Sequence, residues 1–296
     1  MTAMHERHRR AARAPVAESV LRFGDADQLV GILSRPEQPL AGAPVVVILN
    51  AGVLHRVGPH RLHVVLARRL AAAGVTCLRL DLGGIGDSVN SSNATTFRES
   101  AVNDTRLVLG ALAERVGAKR FVIFGVCAGA DNAIATALVD DRIAGIAVVD
   151  PHTYPSKRGR LRALYTKLSA RSPRESVRWI AKVAERRARA TIDRLRALRD
   201  RAEAPDEPEE GRSAPPLAQF RSELAMLVSR GVKILAIYSG IHGASYNHPN
   251  QLFELFPELR GKVETAYFEN ANHTFTELDE QAELIALVSD WMARFR

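Results

Sequence analysis

One stretch of the chain has a residue type and spacing that could carry out chemistry. It is a cysteine with one glycine two residues before it and another two residues after it. Residues 121–130 read F-V-I-F-G-V-C-A-G-A, with β-branched and aromatic residues before Gly125 and a helix-forming segment after Gly129. This pattern predicts a strand, a tight turn and a helix, with the nucleophilic side chain of Cys127 at the tip of the turn. Glycines suit such a turn, because its backbone is strained and its helix and strand approach closely. The alternative interpretation of Cys127 is an inert, buried packing group.

Strands and helices alternate on both sides of this turn. Residues 44–49 form a near-continuous apolar run, typical of a strand buried on both faces of a parallel sheet, and residues 143–149 are predicted as another buried strand. Further strands are predicted at residues 75–80, 121–124, 232–238 and 263–268. Helices are predicted at residues 60–73, 97–116, 130–139, 250–260 and 278–295, and an antiparallel hairpin at residues 18–25 and 29–35. This alternation predicts an α/β fold with a mostly parallel, doubly wound sheet.

The alternation is interrupted at residues 155–216. This segment combines arginine-rich helices with an acidic, proline-rich link, and its apolar stripe includes Leu161, Leu164 and Leu168. We interpret it as an inserted helical lid, because insertions at the carboxyl ends of parallel strands lie above the ligand crevice. The predicted organisation is a basic, mobile tail at residues 1–17, a core at residues 18–154 and 217–296, and the lid between the two parts of the core.

The positive charge of the chain is concentrated in the predicted lid. The net charge is +8, yet residues 157–201 alone contain sixteen Lys and Arg against four Asp and Glu. Such a segment would attract an anionic carrier of a small-molecule acyl substrate, either coenzyme A or an acyl carrier protein. We do not expect nucleic-acid binding, because no nucleic-acid motif or aromatic platform accompanies the charge. A purely solvated helix face is the alternative.

Cysteine usage and hydropathy indicate a cytoplasmic protein. Cys77 and Cys127 are the only cysteines, and Cys77 falls in a predicted strand, so free thiols in a reducing compartment are expected. The basic N-terminus lacks the apolar segment of a secretory signal. No run reaches the roughly 18 apolar residues of a membrane span, so no span is expected.

The sequence carries no pattern for a metal or a dinucleotide cofactor, and we expect neither. Its His, Cys, Asp and Glu residues show no metal-ligand spacing. The G-G-I-G run at residues 83–86 is too short for the G-x-G-x-x-G fingerprint.

Four motifs together resemble those of the α/β-hydrolase superfamily. They are N-A-G-x-x-x-R-x-G-P-H-R from residue 50, L-x-L-D-L-x-G-I-G-D-S from residue 78, G-V-C-A-G from residue 125 and N-H-T-F from residue 272. Within the superfamily they are similar to serine-aminopeptidase-like, exosortase-associated hydrolases. The resemblance covers residues 18–150 and 217–296 and implies the α/β-hydrolase fold.

The resemblance also implies roles for individual residues. Cys127 stands at the position of the nucleophile, and His273 stands after the last strand at the position of the general base. The oxyanion donors would be the backbone N–H of Ala128 and that of Gly52 or Val53.

The sequence departs from the family pattern at the acid of the triad. Relatives carry an aspartate after the strand predicted at residues 232–238, and this chain has His242 there. Asp150 ends the preceding strand and could take over the role, or could merely cap the turn before Pro151. A Cys–His dyad without a carboxylate is the other possibility, because a thiol needs less activation than an alcohol.

Several polar residues flank the predicted site. His55, Arg56 and His242 are candidate substrate-binding residues, because cationic groups bind carboxylates and phosphates. His60 lies in the same loop as His55, and solvation of these side chains is the alternative. Asp131, one helical turn after the nucleophile, is predicted to be a helix-surface or supporting group.

These observations lead to two hypotheses for function. The first is an acyl-transfer enzyme that forms a thioester on Cys127 and acts as a hydrolase, thioesterase or acyltransferase. A lid that excludes water would decide between hydrolysis and transfer. The second is a catalytically silent protein of the same fold that binds a ligand or partner.

Overall fold

The structure is a computed structural model that describes residues 16–90, 96–169, 214–240 and 246–295, with scattered positions between 171 and 189. Most of the predicted tail lies outside the described residues, as do His242 and most of the predicted lid beyond Ser169.

The described residues form one eight-stranded sheet. Its strands are β1 Ala17–Phe23, β2 Leu29–Arg35, β3 Val45–Ile48, β4 Cys77–Asp81, β5 Phe121–Val126, β6 Ile143–Val149, β7 Lys233–Ser239 and β8 Glu264–Phe268. Their spatial order is β1-β2-β4-β3-β5-β6-β7-β8. β1 and β2 form an antiparallel hairpin, β2 runs antiparallel to β4, and the remaining neighbours are parallel. The predicted α/β class and mostly parallel sheet are confirmed.

Helices connect the strands. Their bounds are α1 Leu62–Ala72, α2 Phe97–Val116, α3 Ala128–Val139, α4 Lys157–Ser169, α5 Leu217–Ser229, α6 Gln251–Leu255 and α7 Leu278–Met292, with 3₁₀ turns at Pro59–Arg61 and Pro257–Leu259. Local signals set helix ends: Thr96 and Glu99 form a capping box at the start of α2, and the left-handed Gly117 ends it. Among the described helices, none is both long and apolar enough to cross a bilayer.

Two cores cover the two faces of the sheet. In β5, Phe121 and Ile123 pack into the core that includes α2, α3 and α5, whereas Val122 and Phe124 pack into the core that includes α1 and α7. Every residue of β3 and β5 is buried. Central strands buried on both sides explain why these stretches read as continuous apolar runs.

Two local details of the helices follow from their geometry. Leu107 of α2 is 40% exposed, whereas Leu109 and Leu112 are buried. At 100° per residue, Leu107 lies almost opposite Leu109 around the helix axis. The helix after the cysteine begins at Ala128 rather than residue 130, because the turn leads directly into it.

The parallel arrangement brings the candidate residues to one edge of the sheet. Cys127 follows β5, Asp150 follows β6, and His273 lies in the loop after β8. Since carboxyl ends of parallel strands share an edge, these loops meet where α/β proteins place their ligands.

Candidate active site

Cys127 occupies a strained turn between β5 and α3. Its backbone has φ 59° and ψ −123°, a conformation that residues with a side chain rarely adopt. A Cβ on Gly125 would lie 2.1 Å from the carbonyl oxygen of Gly129. The two glycines therefore let the strand and helix approach closely enough to hold Cys127 at the tip of the turn.

The turn also packs directly against the loop that follows β3. A Cβ on Gly129 would lie 2.4 Å from the carbonyl oxygen of Asn50. This contact places Gly52, which has a φ of 57°, in the loop beside the cysteine turn. Ala128 is the first residue of α3, so its N–H lies outside the hydrogen bonding of its own helix. The donors predicted for an oxyanion are thus on neighbouring backbone segments, and Val53 is exposed at the tip of the same loop.

Asp150 is hydrogen-bonded to His273. The carboxylate Oδ2 lies 2.7 Å from His273 Nδ1. Ser239, the last residue of β7, donates from its backbone N to Asp150 Oδ1 (2.8 Å) and from its Oγ to Oδ2 (2.7 Å). Asp150 is buried and has a φ of 48°. Its carboxylate is therefore held in one orientation, aimed at the imidazole.

The imidazole of His273 interacts with both Asp150 and Cys127. Its hydrogen bond with Asp150 and, next, its hydrogen bond with Cys127 raise the pKa of His273 to about 9, against an opposing effect of burial. Because Asp150 holds Nδ1, the other ring nitrogen faces the sulfur. The three side chains form one chain of hydrogen bonds: carboxylate, imidazole and thiol. The sequence left open whether Asp150 interacts with His273 or whether the histidine has no carboxylate partner. In the structure, Asp150 is the carboxylate that is hydrogen-bonded to His273.

A second set of hydrogen bonds holds the loop of His273 to the loop of His60. Asn272 Oδ1 accepts from the backbone N of Thr274 and of Thr276, both at 3.1 Å. The Oγ1 of Thr276 lies 3.1 Å from His60 Nε2. His60 has a φ of 46°, so a strained backbone carries this contact. This contact has no local sequence signal, because His60 and Thr276 are far apart in the chain.

Arg56, a predicted substrate-binding residue, is engaged by two carboxylates of the protein. Its guanidinium pairs with Asp81, which is fully buried, and with Asp87 at 2.5 Å. Its backbone N donates to Asp81 Oδ1 at 2.6 Å. Asn50 Nδ2 donates to the same oxygen at 3.0 Å. Arg56 thus fastens the loop after β3 to the loop after β4, and its role in substrate binding stays a prediction.

The sequence reasoning missed this role of Asp81. The sequence does contain a signal for this role, because Asp81 stands at the end of a predicted strand and before a glycine-rich turn. A carboxylate buried at such a position needs hydrogen-bond donors nearby. His55, the other candidate of this loop, is exposed. His242 lies outside the described residues, so its predicted role stays a prediction.

Asp131 is buried and not a helix-surface group. Its Oδ1 lies 3.5 Å from Nε2 of His152, whose side chain is also buried. The pair lies one helical turn from Cys127 and supports the start of α3 against the loop after β6. Within the described residues, no group of three or more His, Cys, Asp or Glu side chains could hold a metal ion.

Comparison with known proteins identifies the fold. No protein-family model and no curated protein sequence matches the chain. Among solved structures, the esterase PF2001 of Pyrococcus furiosus is 14% identical over 96% of this chain and 93% of its own, with a TM-score of 0.57. The proline iminopeptidase of Mycobacterium smegmatis is 18% identical over 94% of this chain and 98% of its own, with a TM-score of 0.52. A dienelactone hydrolase of Anabaena variabilis is 13% identical over 94% and 98%, with a TM-score of 0.53.

At these identities the likeness establishes the fold alone. The eight-stranded, mostly parallel sheet with flanking helices matches these structures, and the chain has the α/β-hydrolase fold. The structural likeness extends along nearly the whole chain.

The close approach at Gly129 predicts a sharp asymmetry between two helical glycines. Gly129→Ala should lower the free energy of unfolding by about 1–3 kcal/mol, because the new Cβ meets the Asn50 backbone and one of the two segments must move. Gly110→Ala in α2 is the matched control, since a Cβ there meets nothing within 4 Å and alanine stabilises a helix by up to about 1 kcal/mol. Urea unfolding of the three proteins makes the comparison. Equal stability of the two variants would contradict the packing described for the turn.

Proposed function

We propose that the protein is an acyl-transfer enzyme whose nucleophile is Cys127. The single observation that carries this proposal is the hydrogen-bond chain from Asp150 through His273 to Cys127 at the tip of a strained turn. Nucleophile, base and base-orienting group in hydrogen-bond reach of one another are the arrangement of covalent catalysis. The hydrolases that share the fold add support, since their names include an esterase and a peptidase.

The first half-reaction forms a thioester. The thiol proton of Cys127 moves to His273, and the resulting imidazolium is stabilised by the carboxylate of Asp150. The thiolate attacks the carbonyl carbon of the acyl substrate, a C–S bond forms, and the carbonyl π electrons move to the oxygen. The N–H groups of Ala128 and of Gly52 or Val53 would stabilise that oxyanion. Collapse of the intermediate breaks the bond to the leaving group, which takes the proton from His273.

The raised pKa of His273 bears on this step. With a pKa of about 9, the imidazole holds its proton at neutral pH. An imidazolium next to a thiol favours the thiolate, which is the reactive form of cysteine. The pair of charges would therefore exist before substrate arrives, and proton removal would add little to the barrier.

The second half-reaction releases the acyl group. An acceptor loses its proton to His273 and attacks the thioester carbon, and the C–S bond breaks to regenerate Cys127. Water as acceptor gives a thioesterase or esterase, whereas an amine, alcohol or second thiol gives an acyltransferase. No cofactor is needed for either outcome.

The proposed substrates are small acyl compounds, free or attached to an anionic carrier such as coenzyme A or an acyl carrier protein. The excess of Lys and Arg in residues 157–201 supports an anionic carrier. A reducing cytoplasmic compartment would keep Cys127 in its active thiol form.

The direct test is the mass of the intact protein after mixing with a panel of acyl-coenzyme A thioesters and p-nitrophenyl esters. The wild type should gain one acyl group in the first turnovers, and Cys127→Ala should gain none. Cys77→Ala is the matched control and should be acylated like the wild type, because Cys77 is fully buried and burial raises the pKa of its thiol. Unchanged wild-type mass across the panel, with measurable binding of an acyl ligand, would support a silent binding protein instead.

The role of Asp150 is tested separately. Asp150→Asn keeps the shape of the side chain and removes the charge that orients the imidazole and stabilises its charged form, so kcat should fall by about 10²–10⁴-fold. Asp141→Asn is the control, because Asp141 is an exposed carboxylate paired with Arg230 on the surface, and its kcat should be unchanged. Steady-state kinetics with the acyl substrate found above gives the answer. A loss of only a few fold in Asp150→Asn would indicate a Cys–His dyad.

A further inference from the structure

Helix α4 is cationic along its whole length. Its sequence, K-R-G-R-L-R-A-L-Y-T-K-L-S, has five Lys and Arg and no carboxylate. Arg158 lies 3.8 Å from Glu254, and Arg162 lies 2.9 Å from Glu269. Within the described part of the chain, the other three cations of α4 have no carboxylate partner. Most of the charge of this helix is therefore not used to hold the protein together.

The same helix exposes three large apolar side chains. Leu161 is 67% exposed, Leu164 is 42% exposed and Tyr165 is 73% exposed. Residues spaced by three and four lie on one side of an α-helix, so the three form a single stripe. We call these three residues the α4 stripe. A stripe of this kind on a surface helix normally faces the core; here its three members face solvent, and Leu168 on the same side of the helix is half-buried.

The opposite side of α4 is the side that docks onto the protein. Gly159 is buried, and its carbonyl accepts a hydrogen bond from Asn247 Nδ2 at 2.8 Å. Its backbone N donates to Ser156 Oγ at 2.9 Å. A Cβ on Gly159 would lie 2.9 Å from Gln251 Oε1, so the fit is close. Since Leu161 lies about 160° from Gly159 around the helix axis at 3.6 residues per turn, the α4 stripe points away from the body of the protein.

Cations lie along both edges of the α4 stripe. Counting 100° per residue, Arg160 and Lys167 fall on one edge, Arg158 and Arg162, which also pair with Glu254 and Glu269, fall on the other, and Lys157 lies at the N-terminal end of the stripe itself. An apolar stripe between two rows of long cationic side chains is the pattern of a helix that lies in a membrane interface. Its apolar face enters the acyl region while Lys and Arg extend to the headgroups.

We propose that α4 binds the surface of an anionic lipid bilayer through the α4 stripe and its flanking cations. We choose an anionic membrane as the partner because its charge is opposite to that of α4. Anionic headgroups attract clustered Lys and Arg near a membrane surface. The exposed side chains of the α4 stripe favour a membrane over a partner that offers charge alone, because leucine and tyrosine side chains between cations can be buried in the acyl region of a bilayer.

The position of α4 relates the membrane surface to the active site. Glu269, the partner of Arg162, directly precedes the Asn270–Thr276 loop that carries His273. A bilayer bound to α4 would therefore hold the carboxyl edge of the sheet near lipid. Membrane binding does not depend on acyl chemistry at Cys127, so it can be tested in the full-length protein whether or not a substrate is known.

Vesicle sedimentation tests the proposal. The wild type should pellet with phosphatidylcholine vesicles that contain about 30 mol% phosphatidylglycerol, and bind pure phosphatidylcholine far more weakly. Binding should weaken as NaCl rises from about 0.05 M to 0.5 M, because salt screens exposed charges. Leu161→Asp should reduce the partition coefficient about tenfold or more, because it removes apolar burial and adds a repelled charge.

Matched variants identify the surface responsible. Leu278→Asp changes an equally exposed helical leucine, 77% exposed, at the start of α7, and it should bind vesicles like the wild type. Arg160→Glu should weaken binding, whereas Lys119→Glu, with the same change in net charge on an exposed residue outside α4, should weaken it much less. Circular dichroism establishes that each variant is folded.

Three results would overturn the proposal. The first is a wild type that stays in the supernatant at low salt. The second is that Leu161→Asp and Leu278→Asp lose vesicle binding equally, or that neither loses it. Either result would show that α4 is not the membrane-binding surface. The third is a wild type that ignores vesicles but is retained by an immobilised acidic acyl carrier protein, which would make a protein the occupant.

Discussion

The hydrogen bond between Asp150 and His273 is the constraint on which the site depends. It joins the end of β6 to the loop after β8, and β7 lies between these two strands. Ser239, at the end of β7, bridges the gap by donating two hydrogen bonds to the carboxylate. Asp150, Ser239 and His273 therefore come from the carboxyl ends of three adjacent strands. A shift in the register of any one of them would separate the carboxylate from the imidazole.

Backbone strain is concentrated around this bond. Cys127, Asp150 and His60 all have positive φ values, which cost energy for residues with a side chain. Contacts restrict the conformation of each of these residues. Cys127 lies between glycines that pack against the Asn50 backbone, Asp150 accepts hydrogen bonds from Ser239, and His60 contacts Thr276. The stable doubly wound sheet thus supports loops that would not hold these conformations alone. These contacts keep the side chains of Cys127, His273 and Asp150 aligned with one another.

The sequence predicted the sheet and the turn that holds Cys127, and it placed Cys127 and His273 at the ends of strands that lie in one sheet. Apolar runs mark buried strands, and the glycine pattern around Cys127 is local, so both can be read from the chain. It left the acid open, because whether Asp150 reaches His273 depends on strand order and on the length of the loop after β8. It offered Arg56 only as a candidate substrate-binding residue and did not predict its ion pairs with Asp81 and Asp87, because these carboxylates come from a different loop. Contacts between loops that are distant in sequence were the part that local patterns did not reveal.

The state of the imidazole is the most direct test of this account. An NMR titration of His273 in isotopically labelled protein should give a pKa near 9 in the wild type, because Asp150 and Cys127 both stabilise the charged ring. The same titration in Asp150→Asn and in Cys127→Ala should move the pKa downward, toward the unperturbed value of about 6.5. A wild-type pKa near that unperturbed value, unchanged in both variants, would contradict a coupled carboxylate–imidazole–thiol site.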